Sequence, residues 1–316
     1  LYQDYGKKIK KISDKEIIKK IKIKKYKKNE LLLNSIFNQK ILDKTLNKKL
    51  SITFKGVSIN SKEVKKDNLF VAIKGKKYDG NNYALEAIKK GAKCCVISKN
   101  IKKIKKINKI KFNNTKLFLN KLAINKRKYS DSTIVAITGS AGKTTVKTVL
   151  GKVLGLYGPT YFSPRSFNNH YGVPLSLSNL EKNHLFGVFE IGMSKKGEID
   201  KLSKIVKPDL AIITNIAEAH IENFQNIKGI AKAKGEIINN IEKNGTIILN
   251  RDDKFYKYFN TLARRQKLKV ISFGYSKKSD IYPIYIKRTS KEILIKIKVI
   301  NENILLKTKN INILNI

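Results

Sequence analysis

The stretch ITGSAGKTT at residues 137–145 constrains the fold of this chain more than any other. The run before it, STIVAI (132–137), is short, apolar and β-branched. The run after it, VKTVLGKVLGL (146–156), places apolar residues at helical spacing. Together they predict a strand, a tight turn and a helix. Backbone N–H groups converge at such a turn, and the helix dipole makes that point electropositive. Gly139 and Gly142 permit close backbone approach, with Ser140 and Ala141 between them. Lys143 can reach a terminal phosphate, the Thr144 hydroxyl can ligate Mg²⁺, and Thr145 completes the string. The longer P-loop pattern has a glycine where Ile137 stands, so this is the shorter G-x-x-G-K-T-T form. A glycine turn by itself can be a plain strand-to-helix connection. The G-K-T-T string in this context favours phosphate binding.

From residue 133 onward, strands and helices alternate. TIVAIT, GVFEIG, DLAIITNI, GTIILN and KVISFG read as strands; EIDKLSKIV, GIAKAKGEIINNIEKN and KFYKYFNTLARRQ read as helices. This predicts a mostly parallel sheet covered by helices, with ligands at the carboxyl ends of its strands. Residues 281–316 alternate more like antiparallel strands. Upstream, LLLNSIFNQKILDKTL and YALEAIKKGA read as helices, and FKGVSIN, NLFVAIKG and KCCVIS as strands. The run KNIKKIKKINKIK (99–111) has isoleucine at three-residue steps among lysines. It reads as a solvated connector, with a membrane-surface helix as the lesser alternative. NTKLFLNKLAINKRKY (114–129) reads as a helix leading into the second domain. The expected fold is therefore α/β. A small N-terminal α/β domain (31–112) precedes a P-loop ATPase domain with a mostly parallel sheet (113–316), and residues 1–30 form a lysine-rich tail or linker.

The net charge of +44 invites a nucleic-acid reading. Composition argues against it. Only six of the 68 basic residues are arginine, and the lysines run the whole length of the chain beside isoleucine and asparagine. A base reader would favour arginine forks or a localised aromatic platform. The charge can instead help attract a polyanionic small substrate. Cys94 and Cys95 are neighbours on a predicted strand and point to opposite faces, which argues against a bridge and for a reduced cytoplasmic protein. No apolar run reaches transmembrane length, so no membrane insertion is expected. The chain starts without Met, and its last segment, NINILNI, carries no stop signal, which suggests a piece of a longer product.

Three features follow the loop at predicted carboxyl ends. Glu190 ends the strand GVFE, His220 follows AIITNI, and Lys234 lies in the helix of AKAKGEI. A carboxylate there suits Mg²⁺, a hard cation. Each has a plain alternative: a solvated strand end, a surface-loop histidine, one lysine among many. Their common position at the carboxyl-end edge of the predicted sheet favours function.

With these features, the sequence resembles the ATP-dependent Mur ligases of peptidoglycan synthesis. The resemblance rests on AITGSAGKTT, FNNHYGVPLSL, FEIGMSKKGEI, PDLAIITNIAEAHIENF, GIAKAKGEI and ILNRDD, with GVSINSKEVKKDNLFVAIKGKKYDG nearer the start. It spans residues 31 to 316. Within the family, the strings point to the type that adds D-alanyl-D-alanine to UDP-N-acetylmuramoyl-tripeptide. The resemblance implies that Gly139, Ser140, Ala141, Gly142, Lys143, Thr144 and Thr145 hold ATP phosphates, and that Asn250 contacts adenine. It implies Mg²⁺ held by Thr144, Glu190 and His220, and by Lys234 if that lysine is carbamylated. Asn168 and Asn169 would lie near the phosphates and substrate; Ser61, Lys62, Lys74, Asp79 and Gly80 would surround the uridine diphosphate end.

The chain departs from the family pattern in places. Asn60-Ser61-Lys62 stands where the family has Asp-Ser-Arg, which loses a bidentate fork. Asn82 stands in place of a common histidine, and His170 in place of a common acid, which leaves the role of His170 open. YQDYGKKIKKISDKEIIKK near the start resembles the tail of the preceding ligase, as in a two-ligase fusion. By this resemblance, NINILNI corresponds to the segment that enters the family's third, C-terminal domain, and that domain is expected to be missing from these 316 residues.

The implied activity is amide formation through an acyl phosphate, using ATP and Mg²⁺, in a cytoplasmic and monomeric protein. Without the third domain, the chain is expected to bind nucleotides but not to ligate. Competing readings are another Mur ligase, a folylpolyglutamate synthase-like ligase, a non-catalytic nucleotide-binding protein, or a basic nucleic-acid binder.

Overall fold

The computed structural model describes residues 30–75, 77–218, 221–289 and 292–309. The lysine-rich start with its ligase-tail resemblance, His220 and the segment NINILNI lie outside those residues.

The chain opens with helix α1 (Glu30–Leu46). Four short strands follow: β1 (Val57–Ser58), β2 (Leu69–Val71), β3 (Cys94–Ile97) and β4 (Lys109–Lys111), with helix α2 (Ala84–Lys89) between β2 and β3. They form one parallel sheet in the order β1-β2-β3-β4. A parallel strand covered on both faces is apolar throughout, and CCVI in β3 is fully buried. Cys94 and Val96 face Phe37, Ile41 and Leu42 of α1, while Cys95 and Ile97 face Ala84 and Ala87 of α2. The two cysteines thus point to opposite sides, and both are free.

The stretch 99–111 departs from the solvated connector that its lysines suggest. Its last three residues are β4, paired in parallel with β3, and Ile104 and Ile110 are buried. Of the regularly spaced isoleucines, only Ile107 is largely exposed, at 74%. The lysines sit around apolar anchors, and averaged polarity hides a three-residue edge strand.

Helix α3 (Thr115–Tyr129) leads to the second sheet. Its elements are β5 (Thr133–Thr138), α4 (Lys143–Gly155), β6 (Thr160–Phe162), α5 (Gly172–Ser178), β7 (Phe186–Glu190), α6 (Glu198–Val206), β8 (Leu210–Ile213), α7 (Ile227–Gly235), β9 (Thr246–Asn250), α8 (Tyr256–Arg265), β10 (Lys269–Phe273), β11 (Ile281–Arg288), β12 (Glu292–Val299) and β13 (Glu302–Lys309). The strand order is β13-β12-β11-β10-β9-β8-β5-β7-β6. Strands β5 to β11 pair in parallel; β12 and β13 are antiparallel, as their alternation predicts. Alternate residues of β5 enter two cores: Ile134 and Ala136 the large one, Val135 and Ile137 the one beneath α4.

The sequence reading lacks β6 and α5, both of which are short. It also runs the helix after β8 too far. Residues Glu236–Asn240 form a 3₁₀ turn, because the Glu236 carboxylate accepts bonds from the Gly197 and Asp200 N–H groups and draws the chain toward α6.

Strand order fixes where a ligand can sit. The chain leaves β5 for β6 and β7 on one side, then returns to β8 on the other. Loops after β5, β7 and β8 therefore diverge around a crevice at the carboxyl end of β5.

Helix α3 contacts both cores. Phe118, Leu119 and Leu122 pack with α1, and Ala123 packs with the second sheet. Arg127 grips both carboxylate oxygens of Asp209 at 3.0 and 3.1 Å, and Asp209 also accepts from the Ile134 N–H at 2.7 Å. On the same helix, Lys126 is fully buried and donates to Asn38 and to the Leu180 carbonyl. Burial pushes its ammonium down to about 7, with Glu181 opposing. Between that value and the ordinary 10.5, the unfolded chain binds the extra proton, so this group makes the fold more stable as pH rises. Thermal unfolding at pH 7 and pH 9.5 should show a larger gain for the native chain than for Lys126→Met. An equal gain in both would mean that Lys126 is not held as described.

Candidate active site

The loop 139–142 joins β5 to α4. Gly142 caps the helix with φ of 79°, a left-handed conformation that glycine adopts without strain. Gly139 has φ of 146°, and a Cβ there would overlap the Thr214 hydroxyl. That hydroxyl donates to the Ala141 carbonyl at 2.6 Å. Asn215 accepts the N–H groups of Ser140 and Ala141, each at 2.9 Å, and Ser140 exchanges hydrogen bonds with Ala217. The loop is thus preshaped by the segment after β8. The first N–H groups of α4 lack intrahelical acceptors and make up its positive end.

Two ammonium groups meet one carbonyl here. Lys143 Nζ lies 2.8 Å from the Gly139 oxygen, and Lys234 Nζ, from the last turn of α7, lies 2.9 Å from the same oxygen. Lys143 also donates to the Ser140 carbonyl at 3.1 Å. Burial lowers the Lys143 ammonium, with Glu190 opposing. Burial and then the Lys143 charge bring Lys234 down to about 8. A shared neutral acceptor does not balance two cations, so the arrangement calls for an anion.

Glu190 ends β7 opposite Ile137 of β5 and is 1% exposed, not a solvated strand end. Thr144 Oγ donates to Glu190 Oε2 at 2.8 Å, and Asn168 Nδ2 donates to Oε1 at 2.8 Å. Lys147 Nζ lies 3.6 Å from Oε2. The sequence reading passes over Lys147 because one lysine in a lysine-rich chain carries no signal. Its place three residues after Thr144, on the same helix face, is the clue available.

The hydroxyl and carboxylate fit Mg²⁺. Neighbouring ligands of an octahedral ion with bonds of about 2.1 Å lie roughly 3 Å apart, close to the Thr144–Glu190 separation. Among the described residues, no group of three or more His, Cys, Asp or Glu side chains could hold a metal. Mg²⁺ ordinarily completes its shell with water and phosphate oxygens, so two protein oxygens suffice. His220 lies outside the described residues.

Beside the loop, a cavity of about 620 Å³ is lined by Lys143, Asn168, Asn169, His170, Glu198 and Lys234, among others. The Asn169 side chain accepts the Tyr171 and Gly172 N–H groups and so shapes the start of α5. The His170 ring lies 4.1 Å from that of Tyr171, tilted by 52°, and its imidazole is lowered by burial and then by Lys116, with Glu198 opposing. Asn250 ends β9 and lines a separate hollow with Ile216, Asp252, Asp253 and Lys254. Thr145 is exposed in the first turn of α4.

In the first sheet's unit, Ser61, Lys62 and Gly80 line a hollow of about 470 Å³ with Phe70, Ile73, Tyr78 and Tyr83. Lys74 and Asp79 do not line it; they bridge to each other through the backbone beside it. The Asp79 carboxylate is occupied by Lys99 at 2.8 Å and by Asn81, which bring it down to about 2. Ser61 donates to Glu86 at 2.9 Å.

Family comparison agrees with this geometry. The Mur ligase middle domain matches residues 137–315, and the Mur ligase family catalytic domain matches 53–127. The UDP-N-acetylmuramoyl-tripeptide–D-alanyl-D-alanine ligase of Rickettsia prowazekii is 37% identical over 262 residues, 82% of this chain and 58% of that protein. The Escherichia coli protein of the same name is 31% identical over 217 residues, 69% of this chain and 48% of that one. A crystal structure of MurF from Acinetobacter baumannii superposes with a TM-score of 0.75 at 27% identity, covering 86% of this chain and 60% of that one. MurF from Thermotoga maritima, in complex with ADP, gives 0.69 at 28%, covering 82% and 59%. The chain therefore spans about half to three-fifths of the length of these proteins. The middle-domain match alone takes in more than half of the 316 residues, and the chain belongs to the Mur ligase family.

Proposed function

We propose that this chain forms the substrate-nucleotide and ATP-binding part of an ATP-dependent ligase that joins D-alanyl-D-alanine to UDP-N-acetylmuramoyl-tripeptide. The convergence of Lys143 and Lys234 on the Gly139 carbonyl carries the reading. Two ammonium groups held beside a helix N-terminus suit a transferring phosphoryl group. The substrates come from the names of the relatives, and ATP from the ADP complex of the Thermotoga protein.

In this reading, residues 113–316 bind ATP and residues 31–112 bind the uridine end, through Ser61, Lys62 and Gly80. Lys74 and Asp79 keep the adjoining turn in shape. Residues 139–145 cradle the phosphates, and Asn250 meets adenine. Lys143 steadies the charge that develops as the peptide carboxylate attacks the γ-phosphate. ADP leaves as the β,γ bond breaks, and the dipeptide amine then attacks the acyl carbon and releases inorganic phosphate. Such a reaction asks for alignment and charge neutralisation rather than a protein nucleophile. Thr144 and Glu190 would hold Mg²⁺, which supplies positive charge to the phosphate oxygens when bound. Asn168 fixes the Glu190 carboxylate, and with Asn169 and His170 it borders the cavity where the acyl end fits. Two buried free cysteines accord with a cytoplasmic, reduced protein. No described helix is long and apolar enough to cross a membrane.

Lys143→Ala should abolish ADP binding to the 316-residue chain in calorimetry while circular dichroism stays unchanged. Native-like affinity in that variant would remove the phosphate-loop assignment. Lys234 offers a second test. An ammonium lowered to about 8 is partly neutral near neutral pH, as addition of CO₂ requires. Lys234→Ala should weaken Mg·ADP binding about tenfold, and millimolar formate or acetate should restore part of it. Full binding without added acid would show that no carbamate is needed.

A further inference from the structure

Lys147 is 2% exposed, in a chain whose other lysines mostly reach solvent. Its burial therefore separates it from the compositional bias. Its Nζ has two partners: Glu190 Oε2 at 3.6 Å and the Arg165 carbonyl. Glu190 is itself 1% exposed. Its hydroxyl and amide partners, Thr144 and Asn168, are neutral and orient the carboxylate without balancing its charge. Lys147 is the ammonium in salt-bridge contact with it; Lys143 acts from a greater distance. A carboxylate this deeply buried is costly without a compensating charge.

Magnesium held between Thr144 and Glu190 would use the same Oε2 atom that Lys147 faces. A bound metal would add its charge to an oxygen that Lys147 faces in either state. A metal brought by the nucleotide would occupy the site only part of the time, whereas Lys147 is fixed in the chain. We propose that Lys147 is the internal counter-ion of Glu190, a positioning residue whose ammonium holds the buried carboxylate in place whether or not magnesium is bound. This rests on reading Thr144 and Glu190 as the magnesium pair. The plainer role for Lys147 is a staple for the Arg165 carbonyl, which would be indifferent to metal.

The test is thermal unfolding of the 316-residue chain, Lys147→Met, Glu190→Gln and the double variant, each alone, with ADP, and with ADP plus Mg²⁺. Without metal, Lys147→Met should lower Tm on the order of 5–10 °C. Mg²⁺ with ADP should raise Tm more in Lys147→Met than in the native chain and close at least half of the gap. In the Glu190→Gln background, the lysine substitution should cost less than half as much. A loss that is equal with and without Mg²⁺, and equal in both backgrounds, overturns the proposal and leaves a staple. If Lys147→Met alone is unfolded, a folded double variant supports the proposal and an unfolded one overturns it. The magnesium reading fails separately, if Glu190→Gln leaves the Mg²⁺ dependence of ADP binding intact. The metal-free comparison of backgrounds then still decides whether Lys147 acts through Glu190.

Discussion

A buried carboxylate has to be satisfied from every side, and the site around Glu190 is organised by that demand. Its two oxygens take donors from the first turn of α4 and from the loop that precedes α5. Lys147 adds charge from the next turn of α4 and ties the same loop through the Arg165 carbonyl. These contacts fix the rotation of α4 against β7 and the path of residues 163–168. The carboxylate thereby anchors Thr144 directly, in the first turn of the helix that the 139–142 loop enters.

Lysine takes several roles here according to surroundings. On the surface, it adds to a net charge of +44, a field of the sign that attracts polyanions. Lys143 and Lys234 crowd a single carbonyl, and their mutual repulsion favours an incoming anion. Lys126 is buried in the junction between α1 and the second sheet and meets a side-chain amide and a carbonyl oxygen. The side chain is the same in each case, and burial and partners decide whether it steers, binds or holds.

The two sheets are joined by specific polar contacts as well as by α3. Asn179 accepts the Val57 N–H at 2.8 Å and donates to the Val57 carbonyl at 3.1 Å, filling both backbone positions at the start of β1. Asn34 of α1 bonds Glu181 and Asn183 at 2.8 and 3.2 Å. A cavity of about 730 Å³ lies along this junction, bordered by Asn60, Arg165, Phe167 and Asn179. Asn60 also borders the smaller hollow of Ser61 and Lys62, so a shift of the junction would be felt at the candidate uridine end.

Local pattern was enough to determine the glycine turn between β5 and α4, the alternation of strands and helices around it, the opposed cysteines, and Glu190 at a strand end. Each of these follows from short-range rules: glycine at a turn, apolar periodicity, side-chain alternation along a strand. The tertiary structure decided the rest. Edge strand β4 and buried Ile110 lie hidden in a lysine run, because burial depends on what packs from elsewhere. Asp79 is paired with Lys99, 20 residues further along the chain, a contact that no local pattern announces. Lys147 and Lys126 look like any other lysine until the fold removes water from them. Identity and spacing along the chain specify which bonds a residue can make. Only packing removes the competing water, and that removal turns an ordinary charge into one that must be answered by a particular partner.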